Sequence, residues 1–233
     1  MFKKISILIP VYNEKETIKD CLENVLRADV GEMDLEVIIS DNNSNDGTKE
    51  ILKNINHEKV RVLFRQENSG KGANIKNALK EASGDLILFQ DGDLEYSPKD
   101  YPILIEPFYK FDADVVYGSR LTRSKATRIV GFPNYIANIL LTFLMNLLFN
   151  KIFTDIATGY KVFKKDIIKN IEIISDGFEI EPEITAKISK NKKIKIFEVP
   201  ITINSRSVSQ GKKVKWWHFL TYVYSIIKWR FID

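Results

Sequence analysis

The sequence predicts an α/β fold, with a mostly parallel central sheet and flanking helices. Three observations predict it. Short apolar runs alternate with segments whose apolar residues recur at helical spacing. Loops rich in Asp, Asn and Gly follow the apolar runs. One run, Leu86-Ile87-Leu88-Phe89, is apolar throughout and ends in Gln90-Asp91-Gly92-Asp93-Leu94-Glu95. A short strand without polar alternation is covered on both faces, as central parallel strands are. Strand–helix alternation with short connections argues parallel strands joined by right-handed crossovers. The loops after the strands then share the carboxyl edge of the sheet, where ligands bind in open α/β folds.

The elements follow in order. Residues 5–9 form a first strand, interrupted by Ser6 and stopped by Pro10, which has no N–H for a ladder. A helix over 15–28 carries Ile18, Leu22, Val25 and Leu26 on one face. Residues 35–39 form a second strand, followed by turn chemistry from Ser40 to Gly47 and a helix over 48–55. A third strand spans 60–64. Asn68-Ser69-Gly70-Lys71-Gly72-Ala73 then leads into a helix ending near Ala82. Gly70-Lys71-Gly72 is either a tight turn or a phosphate contact; no Gly-x-Gly-x-x-Gly or Walker A sequence is present. After the fourth strand come a helix over 98–109, a strand over 115–118 and Ser119-Arg120. The run 132–153 is apolar but too short to span a bilayer, and reads as a helix either buried or lying on a membrane interface, with burial favoured. A turn at Asp155-Ile156-Ala157-Thr158-Gly159-Tyr160 enters a short strand, Glu179 to Ile184 enter a helix, and 193–199 form the last strand.

Composition narrows the classes. The 233 residues are 44% hydrophobic, enough for a full core without disulfides, and Cys21 stands alone. Its place in a helix makes it a small buried hydrophobe. His57 and His218 are the only histidines, which excludes a histidine-rich metal site. The N-terminal segment enters a strand too early for a signal peptide, and no run reaches the roughly 18 apolar residues of a membrane span. The net charge is only +4. Its placement says more: beyond Glu198 no acid occurs until Asp233, and basic residues alternate with Trp216, Trp217, Phe219, Tyr222, Tyr224, Trp229 and Phe231. Cations beside Trp and Tyr suit a membrane interface. Packing of the aromatics on the core and nucleic-acid binding are the alternatives, and the interface reading leads.

The chemistry concentrates at the strand ends. Asp91, Asp93 and Glu95 are an acidic surface loop or a hard oxygen set for Mg²⁺ or Mn²⁺; the buried strand before them favours the metal. Arg120, at the end of another strand, suits a phosphate.

Pro10-Val11-Tyr12-Asn13-Glu14, the loop around Asp41, Gln90-Asp91-Gly92-Asp93 and Gly118-Ser119-Arg120 together resemble the family 2 glycosyltransferases of GT-A fold, with its Rossmann-like sheet. Asp155 to Tyr160 and the segment 200–213 resemble the dolichol-phosphate mannose synthase-like, polyprenyl-phosphate branch of that family. The resemblance implies one catalytic domain over 1–233, with a nucleotide-sugar half (1–120) and an acceptor- and membrane-facing half (121–233) ending in amphipathic helices. It implies that Pro10, Val11, Tyr12, Asn13, Glu14, Asp41, Lys71, Asp91 and Gly92 bind the nucleotide-sugar, and that Asp91, Asp93 and Glu95 hold Mg²⁺ or Mn²⁺. Arg120, Arg128, Arg206, Lys212 and Lys213 would meet the acceptor phosphate. Asp93, Arg120 and Asp155 would be catalytic, with Asp155 the base if the acceptor is a sugar hydroxyl. Glu95 stands where relatives often have Gln, and Ser40-Asp41 where many have two Asp. The implied reaction is inverting hexose transfer from GDP-mannose or a UDP-sugar to a polyprenyl or dolichyl phosphate, on the cytoplasmic membrane face. A membrane-protein partner or a second copy of the chain is a further expectation, and nucleic acid is not. A saccharide-hydroxyl acceptor and a non-catalytic nucleotide-sugar-binding homologue are the rival readings.

Overall fold

A computed structural model describes residues 2–122, 131–206, 213 and 216–232. Among these the elements are β1 (Lys4–Val11), α1 (Ile18–Leu26), β2 (Asp34–Asp41), α2 (Thr48–Lys53), β3 (Val60–Phe64), α3 (Lys71–Glu81), β4 (Leu86–Phe89), α4 (Tyr101–Lys110), β5 (Val115–Ser119), α5 (Phe132–Phe149), β6 (Lys161–Lys164), α6 (Lys165–Lys169), α7 (Ile180–Lys190), β7 (Ile196–Pro200) and α8 (Trp217–Phe231). The seven strands form one sheet in the order β3-β2-β1-β4-β6-β5-β7.

The pairs β1–β2, β1–β4, β2–β3 and β5–β7 are parallel. Among the described strands only β6 is reversed, lying antiparallel between β4 and β5. That reversal matters for the site. Because β6 enters the sheet at the edge where β1, β2 and β4 leave it, the loop before β6 joins the loops after the others.

Strand alternation divides the core into two layers. Ile5, Ile7 and Ile9 of β1, with Leu86 and Leu88 of β4, pack with Leu22 and Val25 of α1 and Leu104 of α4. Leu8, Ile87 and Phe89 face the opposite layer, with Ile75 of α3, Ile184 of α7 and Trp229 of α8. All four residues of β4 are buried, as a strand apolar at every position requires. Truncating Leu88 to Ala would cost about 2–5 kcal/mol and would loosen the strand that carries the acidic turn.

Element boundaries shift by a few residues for local reasons. The first helix starts at Ile18 because the backbone N–H groups of Thr17 and Ile18 both donate to the Glu14 carbonyl, closing the loop as a turn. β7 starts at Ile196 because Asn191 organises a turn, its side chain accepting from Lys193 N and its carbonyl from Ile194 N.

Two expectations about the apolar run require correction. α5 has 18 residues and a mean hydropathy of 1.4, so by length and composition it does reach the threshold for a span. It is also not a buried helix. Asn138, Leu141, Thr142 and Met145 are buried, while Phe132, Phe143 and Leu147 are 71%, 62% and 66% exposed. A helix apolar on all sides carries no amphipathic signal of which stripe the domain covers; α7 and α8, packed against it, decide that. In α8 the two leading readings each describe one face. Tyr222, Ile226 and Trp229 are buried, while Trp216, just before the helix, and Leu220, Tyr224 and Phe231 within it are exposed.

Candidate active site

The acidic turn is held from below. Gln90 is buried and its Oε1 accepts from the hydroxyls of Tyr101 (2.8 Å) and Tyr160 (2.6 Å), while its Nε2 donates to the Asp91 carbonyl. Leu94 adopts a left-handed φ of 62°, unusual for a branched side chain, and Glu95 N donates to Asp93 Oδ1 at 3.0 Å. Asp91, Asp93 and Glu95 thereby face one cleft of about 1110 Å³.

The three acids do not form one ligating cluster. Among the described residues no group of three acid, His or Cys side chains is placed to hold a metal. Asp91 Oδ1 pairs with Lys71 Nζ at 2.8 Å. Asp93 Oδ2 pairs with Arg206 at 2.9 Å, and Glu95 Oε1 accepts from the Arg206 backbone N–H at 2.8 Å. The three expected ligands thus differ in their partners: Asp91 pairs with Lys71, while Asp93 and Glu95 are neighbours against Arg206.

That guanidinium is heavily shared. Arg206 also donates to both oxygens of Glu14, at 3.1 Å each, and Lys213 Nζ reaches Glu14 Oε1 at 2.5 Å and the Tyr12 carbonyl. Burial would raise the Glu14 carboxyl, but Arg206 and Lys213 hold it below its ordinary range. Asp93 goes the other way. Burial, and then the charges of Asp91 and Glu95, push its carboxyl up to about 7 against the pull of Arg206. The cluster therefore carries more negative charge than its own cations neutralise. Hard, partly buried oxygens with uncompensated charge fit Mg²⁺ or Mn²⁺, which take one or two protein carboxylates and complete their shells with phosphate and water.

Arg120 and Asp155 form a separate unit. Arg120 Nε and NH2 donate to the two Asp155 oxygens at 2.6 and 2.8 Å, its backbone N–H adds a third bond at 3.1 Å, and Asn138 Nδ2 a fourth at 2.8 Å. Asp155 is fully buried. Burial would raise its carboxyl, but the Arg120 charge and these hydrogen bonds hold it below the ordinary range. A carboxylate held anionic with its oxygens occupied is a poor general base, and in this structure Asp155 fixes the Arg120 guanidinium.

At the other end of the cleft, β1 and β2 deliver the loop 10–14 and Asp41. Asn13 has a φ of 52° and its N–H donates to Ser44 Oγ; Glu14 N–H donates to Thr48 Oγ1. Asn74 Nδ2 holds the Val11 and Ser40 carbonyls. Asp41 Oδ2 accepts from Ser44 N–H at 3.1 Å, while Oδ1 is buried with no hydrogen-bond partner.

Comparison with known proteins decides the family. The sequence profile described as Glycosyl transferase family 2 matches residues 6–172. The chain belongs to glycosyl transferase family 2. A dolichol-phosphate mannosyltransferase of Pyrococcus furiosus is 30% identical over 97% of this chain and 64% of its own length. A dodecaprenyl-phosphate galacturonate synthase of Rhizobium johnstonii is 25% identical over 90% of this chain and 61% of its own. The chain therefore spans less than two thirds of the length of these relatives, which place it in the polyprenyl-phosphate branch. Among solved structures, glucosyl-3-phosphoglycerate synthase from Mycobacterium tuberculosis superposes with a TM-score of 0.75 at 18% identity, covering 99% of this chain and 81% of its own. The same enzyme superposes as its complex with Mn²⁺, UDP and phosphoglyceric acid at a TM-score of 0.73. The fold is GT-A.

Of the family 2 positions anticipated from sequence, Pro10 through Glu14, Lys71, Asp91 through Asp93, Glu95, Arg120, Arg206 and Lys213 line this one cleft. Asp41 and Asp155 lie behind its wall, fully buried. Arg128 and Lys212 lie outside the described residues. Sequence reasoning missed Glu181 and Lys161. Glu181 was legible only as part of a helix start; the available signal for Lys161 was a charge set between apolar neighbours in a short strand.

Proposed function

We propose that this chain transfers a hexose, with inversion, from a nucleotide-sugar to a polyprenyl phosphate at the cytoplasmic face of a membrane. One observation carries the reading: a single cleft joins the charged residues Asp93, Glu95 and Arg206 to an apolar end lined by Phe132, Leu140, Trp216 and Phe219. A substrate pair consisting of a charged diphosphate and a lipid phosphate needs both. The names of the relatives, built on dolichol phosphate and dodecaprenyl phosphate, support the acceptor class.

In this reading the 10–14 loop takes the base and ribose, with Asp41 behind it holding the Ser44 N–H. Asp93 and Glu95 hold Mg²⁺ or Mn²⁺, which when bound neutralises the charge that builds on the departing diphosphate. Lys71 faces the same phosphates. Arg120, oriented by Asp155, and Arg206 with Lys213 bring the acceptor phosphate toward the sugar. The acceptor oxygen is already anionic near neutral pH, so no strong base is needed, and the demand on the protein is to hold two anions close. A sugar-hydroxyl acceptor would need a base that Asp155, tied to Arg120, does not supply. The exposed apolar faces of α5 and α8 then seat the domain on the bilayer.

The test is a transfer assay with a panel of GDP- and UDP-sugars, Mn²⁺ or Mg²⁺ and a short polyprenyl phosphate. Lipid-linked sugar from the wild type and none from Asp93→Ala is expected. Nucleotide-sugar binding without lipid product across the whole panel would overturn the acceptor assignment.

A further inference from the structure

Four charges form a chain of ion pairs, with Lys161 beneath the cleft and Glu181, Lys71 and Asp91 in its wall. Lys161 Nζ, on β6, bonds the Thr158 carbonyl at 2.5 Å and Glu181, at the start of α7. Glu181 Oε1 lies 3.0 Å from Lys71 Nζ, and Lys71 in turn pairs with Asp91 at 2.8 Å. The side chain of Lys161 is 0% exposed and that of Glu181 4%. Asp91 also lies close against Gly159: a Cβ there would come within 2.4 Å of Asp91 Oδ2 and would displace the carboxylate.

Burying such a chain is not explained by stability. Ion pairs taken out of water gain little over apolar side chains of the same size, and the two residues that follow Lys161 in β6, Val162 and Phe163, are fully buried. What the chain does accomplish is geometric. A lysine ammonium on four methylenes is a mobile point charge, and here two carboxylates from different elements hold it. The two ion pairs hold the ammonium at the wall of the cleft that Lys71 lines.

We propose that Glu181 is a positioning residue, with Lys161 as its buried counterion, that fixes the Lys71 ammonium against the terminal phosphate of the donor's diphosphate. This rests on the reading of the cleft as a nucleotide-sugar site. Burial pulls the Lys161 ammonium below its ordinary range, which makes Glu181 its essential partner. Burial acts on Lys71 in the same direction, but Asp91 and Glu181 overcome it and hold its ammonium well above the ordinary range.

The test compares nucleoside diphosphates with monophosphates. Titration calorimetry of UDP, UMP, GDP and GMP with Mn²⁺ is run on the wild type and on Lys161→Met/Glu181→Gln, which removes both buried charges together. The diphosphate that the wild type prefers should bind about 10- to 100-fold more weakly to the variant, the loss of one charge-assisted contact, while the matching monophosphate stays within about twofold. Glu181→Asp, which keeps a charge for Lys161 but draws it back from Lys71, should show the same selective loss and serves if the pair variant does not fold. Parallel loss of both nucleotides, or an unchanged diphosphate affinity, would overturn the proposal, because a merely structural role cannot distinguish the two ligands. Failure of the wild type to make lipid-linked sugar would sink the transfer reading alone; failure to bind any of the four nucleotides would sink both.

Discussion

Asp93, Glu14 and Lys71, at the donor end of the cleft, are charged side chains only 18%, 6% and 14% exposed. Phe132, Phe143 and Leu147, on the helix at the other end, are apolar and 62–71% exposed. Each end inverts the usual placement of polar and apolar groups, and on the proposed reading each inversion is resolved by what binds there. At the donor end a cation and a diphosphate would complete an acidic cluster whose own cations fall short. At the acceptor end a lipid surface would cover side chains that the domain leaves in water. On the proposed reading the cleft meets two solvents, and its halves should respond to different perturbations.

The largest expected effect falls at the donor end. Asp93→Ala should lower transfer on the order of 10³-fold, the scale of removing preorganised charge stabilisation, measured as lipid-linked sugar formed per minute at saturating donor. The comparison breaks if the variant keeps a tenth of wild-type activity.

A smaller effect, on stability, separates Asp155 from Asp93. Asp155→Ala leaves the half-buried Arg120 without its carboxylate partner and should cost about 1–3 kcal/mol in urea unfolding. Asp93→Asn should instead stabilise the metal-free protein at pH 8. The sign follows from its raised carboxyl. A folded-state value of about 7 means that the stabilisation from protonated Asp93 is present at low pH and lost as pH rises from about 4 to about 7. The neutral amide removes that loss. Equal destabilisation by the two variants would erase the distinction between clamp and cation site.

The same titration predicts a pH dependence. Proton and metal compete for Asp93, so Mn²⁺ affinity should fall by up to about tenfold per pH unit below 7 and level off above it, read by calorimetry. An affinity flat from pH 5.5 to 8 would count against Asp93 as a ligand.

The smallest effect on the fold belongs to the other end. Leu140→Ser, Phe143→Ser and Leu147→Ser should each leave stability within about 0.5 kcal/mol, since their side chains are exposed, yet combined they should release the protein from anionic vesicles in a flotation assay. Retention on vesicles would move the membrane contact elsewhere. A large loss of stability would show that these side chains are covered by the fold after all.

The strands of the donor half were readable because their evidence is local. An apolar run as short as 86–89, bounded by Gly84 and by acids, reads as a covered strand, and acids directly beyond it fall at the sheet edge. That Asp91, Asp93, Arg120 and Arg206 share one cleft followed from strand ends sharing an edge and from the resemblance to family 2. Their pairing did not follow. Arg206 comes from beyond β7, more than a hundred positions from Asp93, and reaches it because Ile203 bridges Tyr96 across the acidic turn. Lys161 and Glu181 were hidden for the same reason: their charges are explained by each other, across 20 residues of sequence.

By itself, then, the amino-acid sequence determined the order of strands and helices, the carboxyl-edge placement of the acids and the family, since each rests on periodicity, turn chemistry and short motifs. Tertiary structure alone decided the reversal of β6, which acid meets which cation, and which stripe of α5 and α8 faces water. Those depend on contacts between distant segments, and a side chain's charge or apolarity does not say which partner will arrive beside it.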